Sequence, residues 1–394
     1  MINRGYTTLY TLAAFFIMGC TKPYNPKVIA SANNYLVVEG TINTGGDSTM
    51  IKLSRTVNVN AGTTTNPVTD ATVAIQDDQN GSYSLQSLNN GYYTSPILNL
   101  VNTHKYRLSV TTSDGKIYLS DYVTPIASPP IDSIGFSVVN NKQYGAGVQI
   151  YLNTHDPNNN THYYYWNYTE TWQFHADYDS QYISDGTEIV ARTPAQDIYS
   201  CYGNSISNNI LLGSSAKLSQ DVIYQAPITF IPSTSEKVEQ RYSINIKQSA
   251  LSADAYNYFQ ILKQNTEELG SIFDAQPAQL TGNIHCTTDA TLPVIGYISA
   301  GSIQQKRIFI SAAQLPGVWT PTYPYNCSID TAYFTDPISG VQEVQLYLVP
   351  LPNSSIPLHL FYIKGNGPFG YVYSDVTCVD CTIRGTLTKP SFWQ

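Results

Sequence analysis

Apolar and polar residues alternate with a period of two along much of the chain, which predicts short β-strands that each bury one face. Between residues 34 and 124 these stretches are separated by turn signals, and Asn80-Gly81 and Asp114-Gly115 are residue pairs that tight hairpin turns favour. Roughly seven strands fit this segment, as expected of an immunoglobulin-like sandwich. We therefore predict an immunoglobulin-like β-sandwich over 34–124.

A proline-rich segment separates this region from a second one. We predict a linker at 125–133, because its consecutive prolines cannot continue a β-ladder. A larger C-terminal β-rich domain is predicted at 134–394, with one helix near 251–269 that Ser252 caps and Gly270 ends. The predicted fold class is all-β: an immunoglobulin-like sandwich followed by a larger β-sandwich-like domain with one helix.

The first twenty residues have the pattern of an export signal. An apolar run from Leu9 to Met18 is shorter than the roughly 20 residues that a membrane-spanning helix needs. It ends in Ile17-Met18-Gly19-Cys20, which resembles a bacterial lipobox, although an ordinary signal peptide with a chance cysteine is the alternative. We predict a lipoprotein signal peptide at 1–19, membrane anchoring through lipidated Cys20, and a tether over 20–33.

Composition and charge narrow the class of protein. The formal net charge is −8, and only 12% of the residues are charged, while the chain has 32 tyrosines. An acidic protein lacks the basic stripe that releases counterions from nucleic acid, so we expect no nucleic-acid partner. Few charges together with many tyrosines and β-branched residues are typical of secreted β-modules.

Several later segments together resemble a known family. They are CYGNSISNNILLGSSAKLSQD from Cys201, QSALSADAYNYFQILKQNTEELGSIFDAQPAQLTGNIHC from Gln248, VIGYISA from Val294 and CVDCTIRGTLTKPSFW from Cys378. In these segments the chain resembles the domain-of-unknown-function family numbered 4249, which consists of outer-membrane lipoproteins of Bacteroidetes-type bacteria. The Gly-Ser-Ile-Phe-Asp, Gly-Asn-Ile and Pro-x-Phe-Trp pieces are the most specific parts of this resemblance.

The resemblance implies a place and a partner for the protein. Members of that family are often encoded beside TonB-dependent outer-membrane receptors, which implies an accessory role in nutrient uptake and a receptor of this type as partner. No catalytic motif and no cofactor come with the family. Surface-exported lipoproteins of such bacteria often carry acidic residues after the cysteine, and TKPYNP has none. The expected location is the outer membrane, with the cell-surface and periplasmic leaflets both left open.

Five cysteines follow Cys20, and export would expose them to an oxidising compartment. A zinc site would need a second close pair of ligands, and a redox Cys-x-x-Cys would need to begin a helix, whereas the neighbours here are β-branched. We therefore favour structural disulfides over redox or metal chemistry, with Cys201 as the unpaired thiol. The disulfide candidates are Cys286, Cys327, Cys378 and Cys381.

The stretch YYYWNYTETW is the strongest candidate for a ligand surface. In a strand, alternate side chains share one face, and aromatic rings with polar edges suit a sugar or a peptide. The candidate contacts on one face are Tyr164, Trp166, Tyr168 and Trp172. The alternative is that both faces of this strand are buried between layers, as is usual for continuous apolar strands.

Motifs of enzymes and metal sites are weak in this chain. Gly45-Gly46-Asp47-Ser48 resembles a block of some lipolytic hydrolases, but a turn between two strands explains it more simply. His155, Asp156 and His162 bracket a polar loop, and these residue types can hold a metal. With six scattered histidines in the chain, a chance arrangement is the simpler interpretation, so we expect no metal and no catalytic residue there.

We accordingly expect a non-enzymatic lipoprotein of the cell envelope. Three hypotheses for its function follow, in order of preference. The first is an accessory or ligand-presenting partner of a TonB-dependent transporter. The alternative is a glycan-binding or adhesive surface module. A hydrolase with a site assembled from distant loops is the third, and it would require a serine, a histidine and a carboxylate that converge in a cleft.

Overall fold

The computed structural model describes residues 34–57, 66–267, 280–350, 354–365 and 367–393. The predicted signal peptide, Cys20 and the tether lie outside the described residues. Strands make up 46% of the structure, arranged in several sheets, so the predicted all-β, sandwich-like class is confirmed.

The elements follow one another along the chain in this order. The first strands are β1 (Leu36–Asn43), β2 (Met50–Arg55), β3 (Thr72–Asp77), β4 (Ser82–Ser87), β5 (Tyr92–Thr94), β6 (Tyr106–Thr111) and β7 (Ile117–Ser120). The next are β8 (Ile131–Asn141), β9 (Gly145–His155), β10 (Tyr163–His175), β11 (Tyr182–Ser184), β12 (Ile189–Ala191), β13 (Ser200–Ile206), β14 (Leu211–Ser214), β15 (Val222–Pro232) and β16 (Arg241–Ala250).

The long helix α1 (Ala253–Thr266) comes next, and the remaining strands follow it. They are β17 (Ile284–Cys286), β18 (Val294–Gly296), β19 (Ser299–Gly301), β20 (Ile303–Ser311), β21 (Ile329–Tyr333), β22 (Ser355–Tyr362) and β23 (Pro368–Asp375), before the short helix α2 (Val376–Val379). Single turns of 3-10 helix lie at Pro194–Gln196, Glu236–Val238, Ala312–Gln314 and Cys381–Ile383, and a π-helical turn at Val344–Leu348.

The first module is a ten-stranded sheet that nearly closes on itself. The strand order is β17-β7-β6-β3-β4-β5-β2-β1-β18, and β19 also pairs with β1. The predicted range 34–124 supplies seven of these ten strands, β1 to β7, and residues 284–301 supply the other three. These three strands have three residues each, and they lie in the range 134–394 that the sequence assigned to the C-terminal domain.

The second module is a sandwich of two sheets. One sheet has the order β13-β10-β16-β20, with β14 also pairing with β10, and the other has the order β15-β9-β8. Apolar side chains from both sheets meet in one core, for example Ile150 of β9, Trp166 of β10 and Ile244 of β16. Strand β8 begins at Ile131, within the predicted linker.

Helix α1 lies between the two modules. Ser252 caps it as predicted, since its hydroxyl oxygen accepts a hydrogen bond from Ala255 N at 3.1 Å. Tyr256 contacts the ring of Tyr163 on β10, while Tyr258 contacts Tyr297 beside the first module. The predicted end at Gly270 lies outside the described residues. Among the described residues, none of the helices has the length and hydrophobicity that crossing a bilayer would require.

Two disulfides tie the C-terminal segment to the rest of the protein. Cys378 pairs with Cys327, which precedes the three-stranded sheet β21-β23-β22, and Cys381 pairs with Cys201 on β13. The prediction of structural cross-links is confirmed for Cys327, Cys378 and Cys381, but the choice of Cys201 as the unpaired thiol is wrong. Cys286 is the free cysteine of the described chain. Its side chain lies in the core of the first module, away from the other four sulfurs.

This pairing predicts a specific peptide map. Proteolysis of the non-reduced protein should release linked peptides for Cys201–Cys381 and Cys327–Cys378, and mass spectrometry should identify both. Cys286 should react with an alkylating reagent only after unfolding, because it is buried. Alkylation without denaturant is the control, and a linkage between Cys378 and Cys381 would contradict the structure.

Candidate ligand-binding site

The aromatic side chains predicted to contact a ligand lie in the core of the second module instead. All four are at most 8% exposed: Tyr164, Trp166, Tyr168 and Trp172. The ring N–H of Trp166 also has a partner inside the protein, since it donates a hydrogen bond to Gln248 Oε1 at 2.9 Å. The prediction that these residues bind a ligand is therefore wrong.

The opposite face of β10 is covered as well. Tyr163 packs against Tyr256 of α1, and Tyr165 packs against Phe259 of the same helix, with ring centroids 4.8 and 5.0 Å apart. A strand that is central in its sheet and covered on both faces has apolar residues at nearly every position. The length of the aromatic run therefore reflects double burial, which was the alternative interpretation of the sequence.

A serine, a histidine and a carboxylate do converge near β10. His162 Nδ1 lies 3.2 Å from Ser215 Oγ, and the Ser215 hydroxyl donates directly to Asp221. In a catalytic triad the histidine lies between the serine and the carboxylate and takes the serine proton. Here the carboxylate binds the serine itself, and Ser215 is fully buried. This geometry is that of a structural hydrogen-bond network.

The polar loop after β9 is held by the same network. Asp221 also accepts from the Tyr164 hydroxyl and from Asp156 N, the latter at 2.8 Å. Burial raises the pKa of Asp156, but hydrogen bonds from Asn158, Asn160 and Thr161 outweigh it and hold that pKa below its ordinary value. The oxygens of Asp156 are thus engaged by the loop's own backbone.

The two histidines of this region have protein partners. His155 Nδ1 lies 2.8 Å from Asp132 Oδ2, and His162 contacts Ser215 as described above. Within the described parts of the chain, no three His, Cys, Asp or Glu side chains are grouped so that they could hold a metal ion.

Buried charge in the second module is also paired. Glu170 on β10 accepts hydrogen bonds from Lys237 Nζ at 2.6 Å and from the Tyr242 hydroxyl at 2.7 Å. Burial, reinforced by the charge of Glu170, raises the pKa of Tyr242, so this phenol stays protonated as a donor. The cluster is closed and neutralised internally, which suits a structural role.

An open recess on the second module is the best candidate for a ligand site. We call it the aromatic recess, and its volume is about 400 Å³. It lies where strands β9 and β15 meet the loop between β13 and β14. It is lined by Tyr144, Gln149, Asn209, Pro227, Ile228, Thr229, Phe230 and Pro232.

The turn between β8 and β9 holds one aromatic wall of the recess. Asn141 Oδ1 accepts hydrogen bonds from Gln143 N at 2.8 Å and Tyr144 N at 3.2 Å, and Gly145 follows with φ +74°, a conformation that favours glycine. Tyr144 is therefore presented from a fixed turn with 58% of its surface exposed. Its ring stacks against Phe230, with centroids 6.0 Å apart.

The Phe230 ring packs directly against the backbone of the neighbouring strand. Its ring lies against Gly147 of β9, where a Cβ would overlap it. On the same sheet, a Cβ at Gly135 of β8 would come within 2.5 Å of the Tyr151 ring, so that ring also lies on a glycine. The outward surface of β8, β9 and β15 therefore carries aromatic rings that lie close to the sheet.

A bulge in β15 shapes the polar side of the recess. The pairing shifts between Pro227 and Thr229, so that Ile228 is an extra residue in the strand. Gln149 Nε2 donates to the carbonyl oxygens of Thr229, at 3.1 Å, and Ile150, at 3.0 Å. These two bonds hold the Gln149 amide in place beside the aromatic wall.

The recess carries no formal charge. Its lining contains amide, hydroxyl, proline and aromatic side chains but no Asp, Glu, Lys, Arg or His. It therefore offers hydrogen bonds and ring faces without a counterion for a charged ligand. Glycines inside strands mark positions of close approach, so Gly135 and Gly147 were the signal in the sequence that could have indicated this surface.

Comparison with known proteins gives the family. The model of a domain of unknown function (DUF4249) matches residues 21–307. The chain belongs to this family. The family match includes the first module, the long helix, the aromatic recess and the second module as far as the middle of β20, and it ends before the C-terminal disulfide segment.

Other comparisons add little to the family assignment. No curated protein matches the chain. Among solved structures, the chain is similar to the BSP domain of a biofilm associated protein, with 8% identity over 72% of this chain and 60% of that one, and a TM-score of 0.15. For the B domain of a biofilm associated protein the identity is 8%, the coverage 71% and 86%, and the TM-score 0.12.

The network around Asp221 gives a testable prediction. In Asp221→Asn, one of the two carboxylate oxygens, which accept hydrogen bonds from the Tyr164 and Ser215 hydroxyls, is replaced by an N–H₂ group, which cannot accept a hydrogen bond. The free energy of unfolding should therefore fall by about 1–3 kcal/mol. Urea denaturation followed by tryptophan fluorescence measures this change. Asp78→Asn, at an exposed position, is the control and should change stability by less than about 0.5 kcal/mol. Equal effects of both substitutions would contradict a buried network.

Proposed function

We propose that this protein is a non-enzymatic outer-membrane lipoprotein, anchored through Cys20, that presents a ligand to a TonB-dependent transporter in nutrient uptake. The observation that carries the proposal is the aromatic recess, which is open, uncharged and built on two paired strands. Binding sites on a rigid scaffold of this kind are positioned without a conformational change. The link to a transporter rests on the resemblance described in the sequence analysis.

The disulfides support the export that this function requires. Two structural disulfides are typical of proteins that leave the reducing cytosol. The lipobox-like Ile17-Met18-Gly19-Cys20 precedes the first described residue by a short segment only. From Cys20 to Asn33 the chain can extend to no more than about 50 Å, so an anchored protein would stay near the bilayer and its receptors.

The arrangement of polar groups supports a binding role over a catalytic one. The serine, histidine and carboxylate that converge are locked in a buried network around Asp221. The aromatic recess itself presents amides and rings, which bind and orient a ligand, and its lining contains no carboxylate, histidine, lysine or cysteine.

A glycan-binding or adhesive surface module is the second candidate function. The observation that favours it is the same combination of exposed rings and amides in the recess. An adhesin would act on its own, whereas a ligand-presenting protein needs its transporter. Identification of the membrane partners therefore separates the two candidates.

Affinity purification from solubilised outer membranes tests the proposal. The protein should co-purify with a TonB-dependent receptor, identified by mass spectrometry, and its intact mass should show a lipidated residue 20 without the leader. The control is Cys20→Ala, which should remove the lipid and release the protein from the membrane fraction. Recovery of the lipidated protein without any such receptor would contradict the transporter role and favour the adhesive module.

A further inference from the structure

We propose that the aromatic recess binds a neutral saccharide, with one sugar ring lying against Tyr144, which Phe230 supports. This inference names the ligand class for the proposed ligand-presenting function and rests on it. The recess volume of about 400 Å³ falls within the range of about 300–1,000 Å³ found for small-molecule sites.

The aromatic wall matches one face of a sugar. A pyranose ring has a face of C–H groups, and the negative face of an aromatic ring attracts these weakly positive hydrogens. Phe230 stacks against the Tyr144 ring, with an angle of 29° between their planes, and Tyr144 is 58% exposed, so its ring is supported on one side while much of its surface stays open to a ligand. Because Phe230 is seated on Gly147 and Tyr144 on a fixed turn, this surface exists before a ligand arrives.

The polar lining matches the rim of the same sugar. Hydroxyl groups both donate and accept hydrogen bonds, and amides supply both kinds of partner. Gln149 Nε2 is occupied by two backbone carbonyls, which leaves Oε1 as the acceptor of that amide for a ligand. Asn209 adds an amide from the loop between β13 and β14.

The absence of charge from the lining selects among ligands. A carboxylate, phosphate or sulfate would lose its hydration here and gain no cationic partner from the lining residues. An ammonium group would likewise find no carboxylate. An aliphatic ligand would bury the amides without hydrogen bonds, which is also unfavourable. A neutral polyhydroxylated ring satisfies both the rings and the amides.

The edge of the sheet disfavours an extended peptide at this place. A peptide that adds to a sheet needs a continuous row of free backbone groups. Strand β15 is an edge strand, but its pairing is interrupted twice, between Ile223 and Ala226 and between Pro227 and Thr229, and it contains proline. Bulges and prolines of this kind block strand addition.

The test measures saccharide binding by protein purified from membranes in a detergent without a sugar headgroup. Probes are neutral oligosaccharides (maltoheptaose, cellohexaose, mannohexaose and xylohexaose) and charged oligogalacturonate, each followed by isothermal titration calorimetry. At least one neutral probe should bind. Oligogalacturonate should bind at least tenfold more weakly, which corresponds to a difference in binding free energy of about 1.4 kcal/mol or more.

Variants assign the binding to the recess. Tyr144→Ala should weaken binding of the neutral probe about tenfold, and Tyr144→Phe should keep most of the affinity, because the ring is retained. The matched control is Tyr347→Ala, at a tyrosine 51% exposed on the π-helical turn Val344–Leu348. Circular dichroism checks that all variants keep the wild-type fold.

Three results would overturn the inference: no neutral probe binds at concentrations up to about 10 mM, the charged probe binds as well as the neutral ones, or Tyr144→Ala binds like the control. The proposed function is judged separately, by the receptor. A receptor recovered without saccharide binding would refute the ligand class alone, whereas saccharide binding without a receptor would refute the transporter role alone.

Discussion

Wide aromatic rings of the second module lie directly on glycines of a neighbouring strand, and the shape of that module depends on these contacts. Trp172 lies over Gly203, with which it is paired across strands, and Trp166 lies over Gly213. On the outer sheet the same contact seats Tyr151 and Phe230. A Cβ at any of these glycines would push the ring away, so ring and glycine act as one unit. Inside, these units fill the core; outside, the ring of Phe230 on Gly147 forms part of the wall of the recess.

The strands of the hairpins and the start of the long helix were predictable from the sequence, because they depend on residues that are close together in the chain. Seven strands over 34–124 and the Ser252 cap follow from local turn and capping chemistry, and both are present. That residues 284–301 join the first sheet was not predictable, since their strand partners lie more than a hundred residues away in the sequence. Strands β18 and β19 pair with β1 in parallel, and no turn motif in the nearby sequence indicates such a pairing.

The candidate site was not predictable for a similar reason, because its residues come together only in the folded protein. An aromatic run such as that of β10 indicates apolar surroundings but not whether a ligand or a second layer of protein supplies them. The recess brings together a turn near Tyr144, a loop at Asn209 and the bulge at Ile228, which are far apart in sequence. The cysteine pairing was open for the same reason, because it depends on which sheets the short helix α2 lies between.

The link between Cys201 and Cys381 encloses 180 residues of chain in one covalent loop. A protease that cuts one peptide bond inside this loop opens the ring but leaves both ends connected through the sulfur bridge. A nicked molecule would therefore keep the part of the chain that follows the cut. Covalent release of a fragment from this loop would require a reductant or a second cut.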